Sequence, residues 1–167
     1  MKRFWGILFA LVLVFSLVGL MTSASVVQAQ TTFTVNTTDD IDDGTCGATH
    51  CSLCEAINTA NANAGPDTIT FNIPGPGPHT IQPTSALPTI TDMVIIDGYT
   101  QPGATTNTNG PGLGINAVLM IELDGSNAGV GVSGLRITAG NSTVRGLVIN
   151  RFNNHGIAQR PKVWVYL

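Results

Sequence analysis

The sequence predicts an all-β chain arranged as a solenoid of stacked coils, entered through one short helix. Three observations point there. Short apolar pieces alternate with Gly, Asn and Asp corners along most of the chain, a single segment carries a complete helix signature, and two short patterns recur. Val94-Ile95-Ile96-Asp97-Gly98 is echoed by Ile121-Glu122-Leu123-Asp124-Gly125, and Gly134-Leu135-Arg136-Ile137 by Gly146-Leu147-Val148-Ile149. Stacking the echoes would place Asp97 on the coil beneath Asp124. On strand count alone a β-sandwich fits as well.

At the N-terminus, Lys2 and Arg3 precede an apolar run over residues 4–20, and Val27-Gln28-Ala29 closes a small, polar stretch. Charged, apolar and small-residue regions in that order read as a secretory signal over 1–29, cleaved after Ala29. A retained anchor is the competing reading, but the run falls just short of a spanning helix. Removing the first 29 of 167 residues leaves 138, enough for one domain, with no second apolar run. Five basic residues (Arg136, Arg145, Arg151, Arg160, Lys162) then face ten Asp and Glu, a formal charge of −5. All five lie in the last third, so no cationic face exists for phosphates, and nucleic acid is excluded as a partner.

Phe33 and Val35 alternate in a first strand over 32–36. Asp39, Asp40, Asp42, Asp43 and Gly44 make an acidic turn, in which calcium-binding spacing is absent. Residues 52–65 form the helix. Ser52 and Glu55 make a capping box, and Leu53, Ala56, Ile57, Ala60 and Ala64 share one face. Asn58, Asn61 and Asn63 lie opposite, while Gly65-Pro66 ends the element. Strands come next, with Ile69, Phe71 and Ile73 alternating, then over 80–82, 87–91, 93–97, 118–124, 135–137, 144–149 and around Ile157. The division is therefore 30–66 for the strand, Cys loop and helix, 67–158 for the coils, and 159–167 for an atypical tail.

Cys46, Cys51 and Cys54 leave one thiol over if two pair. A Cys51-x-x-Cys54 redox pair lacks its usual βαβ setting, and a zinc set of Cys46, His50, Cys51 and Cys54 is cramped by adjacent ligands. His79 and His155 have no nucleophile pattern, and Gly110-Pro111-Gly112-Leu113-Gly114 lacks the following helix of a phosphate loop. Asn36-Thr37-Thr38 and Asn141-Ser142-Thr143 are glycosylation sequons only in a host that glycosylates.

Phe33-Thr34-Val35-Asn36, the acidic Gly turn, the Cys pair and Cys51-Ser52-Leu53-Cys54-Glu55-Ala56-Ile57-Asn58 together resemble the CSLREA domain. That domain opens bacterial surface proteins with right-handed parallel β-helix, pectin-lyase-like repeats. The resemblance continues through Asp67-Thr68-Ile69-Thr70-Phe71, Thr100-Gln101-Pro102-Gly103 and Asn141-Ser142-Thr143-Val144-Arg145-Gly146-Leu147. It implies a right-handed parallel β-helix of few coils, secreted or on the cell surface, whose open first coil the helix caps with Leu53, Ile57 and Ala60 while Asn58 and Asn61 face solvent. It also implies a Cys46–Cys51 disulfide, leaving Cys54 free, one turn into a helix whose dipole favours thiolate. Cys54 departs from the family's Arg, and the tail from 159 loses the corner chemistry. A truncated or frame-shifted product would expose an unpaired edge and associate end to end.

The function implied is that of a structural or adhesive module binding extracellular glycan or a surface protein, without cofactor or metal. The alternative is a fragment of a polysaccharide lyase or glycoside hydrolase. Period-two alternation turns Glu122, Asp124, Arg136 and Arg145 outward. Asp97, Glu122, Asp124 and Arg136 would then carry Ca²⁺ and take a proton beside a uronate carboxylate, or hydrolyse a glycoside.

Overall fold

The computed structural model describes residues 30–159 and 164–165. The signal expected over 1–29 and most of the tail lie outside the described residues. Among those described, no helix is long and apolar enough to cross a membrane.

The described residues are mostly β, with one α-helix and three sheets in which all paired strands run parallel. The elements are β1 (Thr31–Val35), α1 (Leu53–Ala62), β2 (Asp67–Phe71), β3 (His79–Ile81), β4 (Val94–Asp97), β5 (Ile121–Asp124), β6 (Leu135–Ile137), β7 (Thr143–Arg145), β8 (Leu147–Asn150), β9 (Ile157–Gln159) and β10 (Trp164–Val165). The sheet orders are β1-β2-β4-β7-β10, β3-β5-β8 and β6-β9.

Register converts alternation into rows. Phe33, Ile69, Ile96 and Val144 stack across the first sheet, Ile81, Leu123 and Ile149 across the second, and Leu135 and Ile157 across the third. All three sets join one core. Ile69, Ile96, Leu123 and Leu135 are fully buried, each contributing roughly 1.5–3 kcal/mol.

Helix α1 begins as its capping box requires. Ser52 Oγ accepts the Glu55 N–H, and the Glu55 carboxylate accepts the Ser52 N–H at 2.8 Å. Leu53, Ala56, Ile57 and Ala60 are buried, and the helix packs on β1 and β2. It ends at Ala62, earlier than Gly65, because Asn63 is already extended and its amide bonds Asp67 at 2.7 Å; Ala64 is consequently exposed. Asn61 does not face solvent. Its amide donates to the Thr89 carbonyl and accepts from Thr91 N–H, tying α1 to the 89–92 segment.

Three strand expectations change. The stretch 144–149 is split by Gly146, whose φ of +72° turns the chain from the first sheet to the second. Residues 87–91 supply only one bridge, Ile90 to Ile137, and Val118 instead pairs antiparallel with Thr105. The echoed patterns do not stack. Val94–Asp97 and Ile121–Asp124 lie in different sheets, as do β6 and β8. What the first echo encodes is a corner. Asp97 accepts the Tyr99 N–H and Asp124 the Ser126 N–H, each capping one 3-10 turn.

The Gly146 corner sets a narrow steric limit. A Cβ on Gly98 would lie 2.1 Å from the Gly146 carbonyl oxygen, whereas one on Gly140 would meet nothing within 4 Å. Gly98→Ala should therefore cost about 3 kcal/mol in urea unfolding, the upper end for overpacking, and Gly140→Ala should stay within about 0.5 kcal/mol of wild type. Equal stability of the two variants would contradict this corner.

Candidate functional site

The fold separates the residues expected to form a catalytic set. Asp97 lies on the five-stranded sheet, Glu122 and Asp124 on the three-stranded sheet, and Arg136 on the two-stranded one. Glu122 and Asp124 are brought together, but neither Asp97 nor Arg136 joins them.

Each carboxylate already has a partner. Parallel register sets Asp97 beside Arg145, whose guanidinium donates to it at 2.6 Å. Arg151, one residue past β8, has a φ of +56° and bridges both acids of β5, at 2.9 Å to Glu122 and 2.8 Å to Asp124. Asn150 and Thr80 also donate to Glu122, and Gln82 donates to Asp124. Hydrogen bonds from Asn150 and Thr80 lower the Glu122 pKa. Arg151 and then Gln82 hold Asp124 well below the usual carboxylate range. A glycosidase or lyase needs one carboxyl kept protonated or two left open to metal and substrate. Here both acids are ionised and their oxygens are occupied, so the pair locks strands together. Sequence reasoning missed Arg151 because its reach depends on the β5–β8 register.

Cysteine chemistry is equally committed. Cys46 and Cys51 are joined, with Cα atoms 4.3 Å apart, and Cys54 is free. With Cys46 and Cys51 bonded to each other, neither the Cys51–Cys54 redox pair nor the four-ligand zinc set forms. The thiolate expected at Cys54 is also overturned. Burial, followed by the charges of Asp42 and Asp40, pushes its pKa up to about 11. Desolvation and two neighbouring anions outweigh the helix dipole.

The acidic turn is held by directed bonds. Asp40 accepts from the Thr84 N–H and hydroxyl, both at 2.8 Å, and Asp42 accepts from Asn58 at 2.9 Å. His50 Nε2 lies 3.1 Å from Asp39, and its Nδ1 lies 3.1 Å from buried Glu55 and 3.6 Å from Asp43. The Nδ1 contact lacks hydrogen-bond alignment, so attraction there is Coulombic. Spacing held one signal that could have found this group: a lone histidine among acids at 39, 43 and 55.

Arg136 remains. It is exposed between buried Leu135 and Ile137, and among the described residues it is the arginine with no carboxylate partner. It lies on an open groove of about 500 Å³ along the outer side of β6 and β9, lined also by Thr89, Ser133, Thr138, Asn154, His155 and Gln159. Hydroxyl, amide, imidazole and guanidinium groups converge there with short apolar patches from Leu87 and Ala158. Such a surface can hydrogen-bond a polyhydroxylated chain and pair with one anionic substituent.

Comparison with family models, curated proteins and solved structures returns no match for this chain.

The Arg151 bridge has a pH signature. Depressed carboxylate pKa values contribute stability that is present at neutral pH and lost as pH falls through the folded-state values. Arg151→Gln should lower Tm at pH 7, with the deficit shrinking to nothing as both carboxyls protonate. A deficit unchanged by acid would show that Arg151 acts through packing alone.

Proposed function

We propose that the chain is an exported, cell-surface or secreted module whose parallel strands form a right-handed β-helix capped by α1. Its role is adhesive: it binds extracellular glycan along the β6–β9 groove and catalyses nothing. The observation that carries this reading is Arg136, unpaired by any described carboxylate while Arg145 and Arg151 are consumed by theirs, on a groove lined with amide and hydroxyl groups. Three parallel sheets sharing one core support the solenoid, because parallel strands need a crossover between each pair; β1 crosses to β2 through α1, and every later crossover passes through another sheet. The disulfide accords with an oxidising compartment.

The helix has its purpose within this reading. It covers the β1 edge of the five-stranded sheet, where an aliphatic core would otherwise meet water. At the opposite side, β8 and β9 are edge strands among the described residues, and an unpaired edge invites pairing with a second copy.

Immobilised neutral and acidic oligosaccharides provide the test. Binding without release of reducing sugar or unsaturated product is the expected result, and Arg136→Ala should weaken it about tenfold, matching the ~1.5 kcal/mol lower bound for a charged hydrogen bond. Turnover of any bound glycan would overturn the non-catalytic reading. Absence of binding across the panel would overturn the adhesive one.

A further inference from the structure

The acidic turn, the histidine and the free thiol form a group that glycan binding does not use. The turn crosses from β1 to α1 as a strap, and its base is fixed. Cys46 is bonded to Cys51, while the Asn36 amide donates to the Gly47 and Ala48 carbonyls and accepts the Cys51 N–H. Its tip is held only by polar contacts. Asp40 bonds Thr84, Asp42 bonds Asn58 and reaches Cys54 Sγ at 3.8 Å, and the Asp43 N–H donates to Glu55 at 2.9 Å.

His50 sits where base, tip and helix meet. The charged groups facing it are Asp39 and Asp43 from the strap and Glu55 from α1, all acidic. Glu55 is buried, with a side-chain exposure of 0%, and no described lysine or arginine pairs with any of the three. With an imidazolium between them, three carboxylates share one counter-charge. With a neutral ring, a buried carboxylate faces two others uncompensated, and the repulsion acts on the tip.

We propose that residues 39–50 form a pH-sensitive strap over α1 and Cys54, latched while His50 carries a proton and loosened when it loses it. The hydrogen bond to Asp39, with Glu55 and Asp43 adding attraction, raises the His50 pKa above the ordinary imidazole value despite some burial. Burial opposes ionisation of Asp39 and Glu55, but donors outweigh it. Thr37, the Ile41 N–H and His50 lower the Asp39 pKa, and the Ser52 and Asp43 N–H groups lower that of Glu55. A raised histidine pKa contributes attraction that is complete below the unfolded-state value and lost as pH rises through the folded-state value. The strap is therefore tight below the ordinary imidazole value and loosens as pH rises through the raised folded-state value. Loosening carries Asp40 and Asp42 away from Cys54 and uncovers the thiol, which becomes more accessible and easier to ionise.

The test measures the labelling rate of Cys54 by methyl methanethiosulfonate in the oxidised protein, wild type beside His50→Gln, across pH. Taking the ratio of the variant's rate to the wild-type rate at each pH cancels the ordinary ionisation of a thiol. The expected ratio is several-fold above one in mild acid and falls to one as wild-type His50 deprotonates, at the pH where its ring protons titrate by NMR. Asp39→Asn, which keeps the histidine, should move both the ring titration and the labelling step to lower pH; it carries the test if His50→Gln does not fold. A ratio of one throughout, or a His50 ring titrating at or below the ordinary imidazole value, would overturn the proposal.

Discussion

Everything beyond local structure in this chain depends on the burial of apolar rows that cross the sheets at right angles to the strands. Phe33-Ile69-Ile96-Val144 and Ile81-Leu123-Ile149 are contributed one residue at a time by segments far apart in sequence. No hairpin holds any of these strands to its neighbour, so the pairing is specified by side chains facing a common core. Helix α1 packs its buried face on β1 and β2, at the β1 edge of the five-stranded sheet.

Charge is arranged to serve the same stacking. Parallel register brings Asp97 to Arg145, and a left-handed residue past β8 lets Arg151 return onto both acids of β5. These pairs of a half-exposed arginine with a mostly buried carboxylate fix lateral register, whereas the buried rows supply most of the stabilisation. Their effect on function is subtractive. Carboxylates that looked available for catalysis are neutralised, and the one described arginine left without a partner lies on a groove. The proposed adhesive role rests on what the other charges are already committed to.

How much of this was legible in the sequence depended on how local each feature is. The helix start was legible because a capping box is a four-residue device, and its buried face was legible because 3.6-residue periodicity persists over two turns. Ile69 and Phe71 of β2 and Ile121 and Leu123 of β5 were legible through alternation, but Val94-Ile95-Ile96 of β4 offers no alternation to read. Asp124, expected to face outward, is buried because it caps the following turn and pairs with Arg151. Sheet membership was not. The Asp-Gly echoes looked like stacked coils, yet they record a shared corner, an aspartate capping a tight turn in two different sheets. Arg151 and Asn61 act across long sequence separations, through contacts that exist only once the strands are placed, whereas His50 meets acids close to it in sequence that spacing alone could have signalled. Cys54 was misjudged because its anionic neighbours arrive from the folded strap.

Disulfide trapping would test the stacking most directly, in a Cys54→Ser background that keeps the native bridge. Parallel neighbours lie about 4.8 Å apart, within reach of a disulfide. Thr80 and Glu122 are cross-strand partners here, whereas Ile95 and Glu122 are equivalent in the echo but lie in separate sheets. Thr80→Cys with Glu122→Cys should cross-link on mild oxidation, and Ile95→Cys with Glu122→Cys should not. Cross-linking of the second pair in place of the first would mean that the echoes do stack, and the sheet arrangement described here would be wrong.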